Sequence, residues 1–309
     1  MWHLERPTRD TLSWYKKLIL VDLRERIVNA SDLDQKIKNR LVYPGRAKNK
    51  VLKQLLLSPP EILYGYNDRL EKKFEREGLW TEENKGKLLK VFNYDGVLSH
   101  NKTNSYELTK HIGKNSCTYC NRIYTQTVVE DDSRIARPDI DHWLNKSDHP
   151  LLSLSIYNMI PSCQICNRTI KQKVEFEYGK HVHPYDKATV QFRFGYSCGT
   201  GGRWDVKLLN CTSKEAQMAK DLKTLQMYQP HGVMEVKDLL DFATDNTPEY
   251  LEGLCEYVMR RGKNVLTWDD AYRLMFGTER NEEKYLDRPL SKLKHDILVQ
   301  LKEEMKRWK

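Results

Sequence analysis

The sequence predicts an α+β protein in which mainly helical N- and C-terminal regions flank a smaller central module containing strands. Three observations predict it. Residues 1–115 and 213–309 carry apolar residues at helical spacing, punctuated by helix stops. Between them, β-branched runs occupy 123–129 and 134–143. Two Cys-x-x-C pairs, Cys117/Cys120 and Cys163/Cys166, bracket those runs. The expected divisions are 1–115, 116–186 and 187–309.

In the first region, helical spacing over 9–28 ends at Asn29-Ala30-Ser31-Asp32, which reads as a stop and a new cap. Tyr43-Pro44-Gly45 reads as a turn, and 49–57 as a short amphipathic helix. Ser58-Pro59-Pro60 breaks that helix and starts the next, because proline is tolerated in a first helical turn. The helix over 61–77 runs to Gly78. Thr81 and two glutamates open another to about Phe92, and a last one over 104–112 stops at Gly113.

Beyond the central runs, a helix is expected from Asn167 to about Val174. Strand-like alternation returns over 190–194 and 204–209. Gly199-Thr200-Gly201-Gly202 between them reads as a hairpin turn. It lacks the Lys-Ser/Thr of a phosphate-cradling loop. Helices are then expected over 213–227, 233–244, 247–261, 267–276 and 289–308, the last dense in lysine and glutamate.

The 309-residue chain is 39% hydrophobic and 31% charged, with a formal net charge of +9. That balance suits a polyanionic partner such as nucleic acid, although a merely lysine-rich protein would read the same way. No apolar run is long enough to span a membrane, and the N-terminus lacks the apolar stretch of a signal peptide. A cytoplasmic location is therefore expected. Seven cysteines, an odd number, argue against a disulfide framework.

Four thiolates from two Cys-x-x-C pairs complete a tetrahedral Zn²⁺ and leave no position for water, so a structural site is expected. Residues 121–162 lie between the pairs, more than a simple zinc ribbon needs. This insertion contains Asp139-Ile140-Asp141-His142-Trp143 and Tyr157-Asn158-Met159-Ile160-Pro161-Ser162, and the second pair leads directly into Asn167-Arg168-Thr169-Ile170-Lys171. Phosphodiester hydrolysis needs an activated water, a base and positive charge beside the leaving oxygen. His142 suits the base, because imidazole titrates near about 6.5 and is largely neutral at cytosolic pH. Asp141 and Asn167 offer hard oxygens to Mg²⁺ or Mn²⁺. Each also has a plainer reading: an Asp-His pair on a surface, Asn158 in a turn, Asn167 as a helix cap.

An Asp-His pair, a central Asn and a final Asn beside the second knuckle resemble the HNH (ββα-metal) endonucleases over about 117–173. The last letter differs, since Asn167 stands where the family name has His. The resemblance implies that His142 is the base and that Asp141 and Asn167 hold the catalytic metal. It also implies that Asn158 binds the 143–157 loop and orients His142. Arg168, Lys171 and Lys173 are expected phosphate contacts that would position the backbone without reading sequence. His183, in His181-Val182-His183-Pro184-Tyr185-Asp186, is a further expected contact, or else part of a loop leading to the next strand. Cys-x-Tyr-Cys-Asn-Arg, Asp-His-Trp-Leu-x-Lys-Ser and Asn-Met-Ile-Pro-Ser-Cys-x-x-Cys-Asn are similar to the PtuB-type HNH nucleases of Septu and retron-associated anti-phage systems. That resemblance implies an antiviral nuclease acting on DNA, or RNA, beside an ATPase partner. The alternatives are a non-catalytic zinc-containing nucleic-acid-binding module and an interaction subunit for such an ATPase.

Overall fold

Among the described residues, six α-helices precede the first cysteine pair, and four of them open on a capping side chain. α1 (Arg9–Asn29) starts at Thr8, whose hydroxyl accepts from the Thr11 N–H, and buries Tyr15, Ile19, Leu23 and Ile27 on one stripe. Burying each of these large side chains contributes roughly 2 kcal/mol before entropy is counted. α2 (Gln35–Leu41) is capped by Asp34, and α3 (Lys50–Leu57) buries Leu52, Leu55 and Leu56. α4 (Pro60–Arg76) carries its proline in the first turn, where no N–H is needed. α5 (Glu82–Phe92) is capped by Thr81, and α6 (Lys102–Ile112) ends at Gly113 with φ +64°.

The structure is a computed structural model that describes residues 2–42, 49–131, 133–186, 190–245 and 267–307, with Tyr250, Gly253, Glu256 and Tyr257. The turn expected at 43–45 and most of the helix expected over 247–261 lie outside these residues.

The central region holds two antiparallel pairs: β1 (Val128–Glu130) with β2 (Ser133–Ala136), and β3 (Asp139–His142) with β4 (Met159–Ser162). The single strand expected over 134–143 is therefore two. Pro138 divides them, because proline has no N–H to continue a ladder. β5 (Arg193–Cys198) and β6 (Trp204–Leu209) form a third antiparallel pair across the glycine turn, with Gly201 at φ +75°. β5 lies further along the chain than the alternation over 190–194 suggested.

The helix expected over 213–227 is also two, α7 (Ser213–Asp221) and α8 (Thr224–Tyr228). They are separated at Lys223, whose φ of +51° breaks the helical path. α9 (Glu235–Asp245), α10 (Trp268–Phe276) and α11 (Ser291–Arg307) complete the described elements.

One cluster of buried side chains runs through all three sequence regions and includes Tyr15, Leu23, Trp143, Ile156, Phe194, Val206 and Leu293. The cysteine pairs are reached from both sides. Trp2 N–H donates to Thr118 O at 3.0 Å, and Tyr15 Oη to Leu154 O at 2.9 Å. From the C-terminal side, Tyr228 Oη donates to Cys120 O at 2.5 Å. Ser116 N–H donates to Leu286 O at 2.9 Å. No helix among the described residues is long and apolar enough to cross a membrane.

Candidate functional site

Four side chains set the frame of the site. Cys117, Cys120, Cys163 and Cys166 are buried, and their sulfurs lie within 4.8 Å of one another. Zn–S bonds of about 2.3 Å in a tetrahedron would put sulfurs about 3.8 Å apart, so the cluster is the right size for a metal such as zinc. Backbone N–H groups point at the sulfurs: Cys163 N–H donates to Cys117 Sγ at 3.2 Å, and Cys166 N–H to Cys163 Sγ at 3.4 Å. Hydrogen bonds from the other three thiols hold Cys163 far below the usual thiol range, while burial pushes Cys117 up. A cation resolves that conflict by letting all four ionise.

The knuckles carry the β3–β4 hairpin between them. Asp141 pairs with Ile160 and His142 with Met159 across the ladder. Thr118 N–H, inside the first knuckle, donates to Pro161 O at 3.3 Å. Strand alternation puts Asp139 and Asp141 on one face and Ile140 and His142 on the other. After β4 the chain passes through the second knuckle into a π-helical segment, Ile165–Ile170, and a 3-10 turn, Lys171–Lys173. The helix expected from Asn167 to Val174 is thus a wide turn that tightens. Asn167 N–H donates to Cys163 O at 3.0 Å, which fixes this side chain relative to a cysteine ligand.

Asn167 and Lys171, four residues apart, meet the two carboxylates of β3. Asn167 Nδ2 donates to Asp139 Oδ2 at 3.2 Å. A carboxylate only accepts, so the amide nitrogen faces it and Oδ1 is turned away; Oδ1 accepts no hydrogen bond among the described residues. Lys171 Nζ lies 3.2 Å from Asp141 Oδ2 and donates to His142 O at 2.6 Å. Burial pushes the Asp141 carboxyl up from its ordinary value, and the Lys171 ammonium opposes that shift.

His142 lies on the other face of β3. Its Nε2 is 2.8 Å from Ser153 O. A carbonyl cannot donate, so Nε2 carries the proton and Nδ1 the lone pair in the neutral ring. Nδ1 has no hydrogen-bond partner among the described residues. Burial lowers the His142 pKa to about 4, which keeps the ring neutral near pH 7. The Tyr94 ring meets the imidazole edge-on, with centroids 4.4 Å apart.

Asn158 fastens the loop that presents Ser153. Its Oδ1 accepts from Leu144 N–H at 2.8 Å, and its Nδ2 donates to Leu144 O at 3.0 Å and Leu152 O at 3.3 Å. The loop is closed again by Trp143 N–H donating to Asn158 O at 2.8 Å.

Two of the expected phosphate contacts need correction. Lys171 is turned inward and is 6% exposed, because the turn that brings Asn167 to Asp139 brings Lys171 to the buried Asp141 carboxylate. His183 is 1% exposed and packs against Trp143, with centroids 4.7 Å apart. Its Nδ1 accepts from Tyr185 N–H at 3.2 Å, so its Nε2–H donates to Tyr64 Oη at 2.8 Å. Tyr64 Oη donates in turn to Asn158 Oδ1 at 3.3 Å. His183 therefore supports the loop from within rather than meeting a ligand. Arg168 is exposed and pairs with Asp139 at 2.9 Å. The side chain of Lys173 lies outside the described residues.

Three residues at this site had no role in the sequence reading. Asp139 could have been found, because it stands two residues before Asp141 on a strand. Tyr119 and Tyr94 carry no such signal. Tyr119 Oη donates to Asp141 Oδ2 at 2.5 Å from within the first knuckle.

With this geometry in view, relatives give no further guide. No family model, curated protein or solved structure matches the chain.

Proposed function

We propose that the chain is a metal-dependent endonuclease of the HNH type that hydrolyses phosphodiester bonds in DNA. The observation that carries this reading is the bond from His142 Nε2 to Ser153 O, which leaves Nδ1 as a free, neutral acceptor at one end of β3. Asp141, on the opposite face of the same strand, and Asn167, on the turn past the second cysteine pair, supply hard oxygens.

In this reading the four cysteines hold a structural Zn²⁺, and Asp141 and Asn167 would hold Mg²⁺ or Mn²⁺. When bound, that cation supplies positive charge beside the leaving oxygen. His142 Nδ1 takes a proton from water as the water oxygen bonds to phosphorus. The P–O bond to the departing sugar breaks, and that oxygen is protonated from solvent. Asn158 keeps the base in place through the loop backbone. Exposed Arg168, next to Asn167 in the chain, would meet a neighbouring phosphate, and the net charge of +9 favours a polyanion. The sequence resemblance to anti-phage nucleases adds a defence role with an ATPase partner in the cytoplasm.

A non-catalytic nucleic-acid-binding module is the second reading. The observation in its favour is the Lys171 ammonium, which already neutralises Asp141. Plasmid cleavage with Mg²⁺, Mn²⁺ or chelator separates the two. The nuclease reading expects cutting that needs the metal and disappears in His142→Ala with zinc content unchanged. Equal cutting by wild type and His142→Ala, or none with either metal, would overturn it.

A further inference from the structure

The geometry points to Tyr119 as a positioning residue that holds Asp141 by one carboxylate oxygen and leaves the other for the catalytic cation. This rests on the metal-dependent reading above. Tyr119 is fully buried between Cys117 and Cys120, so the cluster that fixes the knuckle also fixes the phenol. Its hydroxyl meets Asp141 Oδ2 at 2.5 Å, and Lys171 makes its closest approach, 3.2 Å, to the same oxygen. No side chain among the described residues donates to Oδ1, and the one further partner of this carboxyl is the neighbouring His142 backbone N–H.

The two donors come from opposite ends of the motif, one inside the first knuckle and one just past the second. Phe176 lies against both: its ring is 6.1 Å from that of Tyr119 and 4.9 Å from Lys171 Nζ. Two donors on one oxygen restrict the turning of the carboxylate and favour presenting the other oxygen as the ligand atom. Mg²⁺ and Mn²⁺ sites with few protein ligands depend on such placement, because the ion keeps most of its waters. The cysteine cluster then acts on the second metal through Tyr119 as well as through the chain path to Asn167.

The test is Mn²⁺ binding to the full-length, zinc-loaded protein, followed by electron paramagnetic resonance, for wild type, Asp141→Asn and Tyr119→Phe. Loss of a strong hydrogen bond to the ligand is expected to weaken Mn²⁺ about tenfold in Tyr119→Phe. Zinc content should not change. The metal concentration for half-maximal cleavage should rise in step, with the rate recovered at saturating Mn²⁺. Replacing Tyr119 by 4-aminophenylalanine, which keeps a donor, should restore affinity. If Asp141→Asn binds Mn²⁺ like wild type, the nuclease reading and this inference both fall. If Asp141→Asn loses Mn²⁺ while Tyr119→Phe does not, only the positioning role falls. Should Tyr119→Phe not fold, fluorotyrosine-labelled wild type serves instead. Mn²⁺ should broaden the Tyr119 fluorine resonance, and an unbroadened Tyr119 resonance would overturn the inference.

Discussion

His142 and Ser153 are joined by a hydrogen bond from an imidazole nitrogen to a backbone carbonyl, 2.8 Å long, across a loop that Asn158 holds shut. This bond selects one tautomer. Nitrogen-15 NMR of the zinc-loaded protein without Mg²⁺ or Mn²⁺, at neutral pH, should show His142 protonated at Nε2 and bare at Nδ1. The opposite pattern, or a mixture of tautomers, would remove the basis for His142 as a base.

Asn158→Ala should destabilise the protein by about 2–4 kcal/mol in denaturant unfolding. It removes the partners of Leu144 N–H and Leu144 O, which water cannot easily replace in a buried loop. Cleavage should fall as well, because Ser153 would no longer be held where His142 needs it. A change under 1 kcal/mol would show that the loop keeps its shape without this side chain.

His183 should make stability depend on acid. Burial lowers its pKa to about 3, against about 6.5 in an unfolded chain. The unfolded chain therefore takes up a proton that the folded protein refuses. The contribution of neutral His183 is complete above the unfolded value and is lost as pH falls from about 6.5 towards about 3. The slope reaches at most about 1.4 kcal/mol per pH unit. His183→Gln removes this term, so its stability deficit relative to wild type should shrink on acidification. A deficit that stays constant from pH 7 to pH 4 would contradict the assignment.

Cys163→Ser should abolish metal binding by the cluster and lower the melting temperature, and metal removal by a strong chelator should do the same. Elemental analysis is expected to give one zinc per wild-type chain and none in the variant. The near-ultraviolet circular dichroism of Trp143 and Tyr119, both fully buried, should collapse together with the zinc. An unchanged spectrum in the zinc-free variant would mean that the hairpin stands without the cluster.

Much of this architecture is legible in the sequence for a simple reason. Caps and stops are local, and Pro60, Thr81 and Gly113 all mark real helix ends. The cysteines are legible too, because Cys-x-x-C spacing is dictated by metal geometry. Less legible are places where local signals conflict with chain geometry. Pro138 interrupts a run that is otherwise strand-like, and Lys223 adopts a left-handed conformation that no glycine announces. At the site, Asp139, Asp141, His142 and Asn167 lie close in sequence to the motif. Tyr94 and Tyr64 arrive from the helical region, and nothing in a linear pattern says which tyrosine will lie against a histidine. Lys171 and His183 depart from the expected phosphate contacts for a common reason: charge and polarity suggest solvent, yet both find partners inside.

The stitching around Asn121 bears on how the protein can be handled. Its side chain donates to Ser116 Oγ, Tyr285 O and Arg288 O, and its own carbonyl accepts from Leu290 N–H. With φ at +49°, it also makes a turn that asparagine tolerates better than most residues. A fragment spanning only 116–186 would leave these donors and acceptors facing water, together with the surfaces that Tyr15, Tyr64 and Tyr94 now cover. Excision of the motif as a minimal nuclease should therefore yield an insoluble product. Engineering that seeks a smaller enzyme would have to rebuild both flanks instead of trimming them.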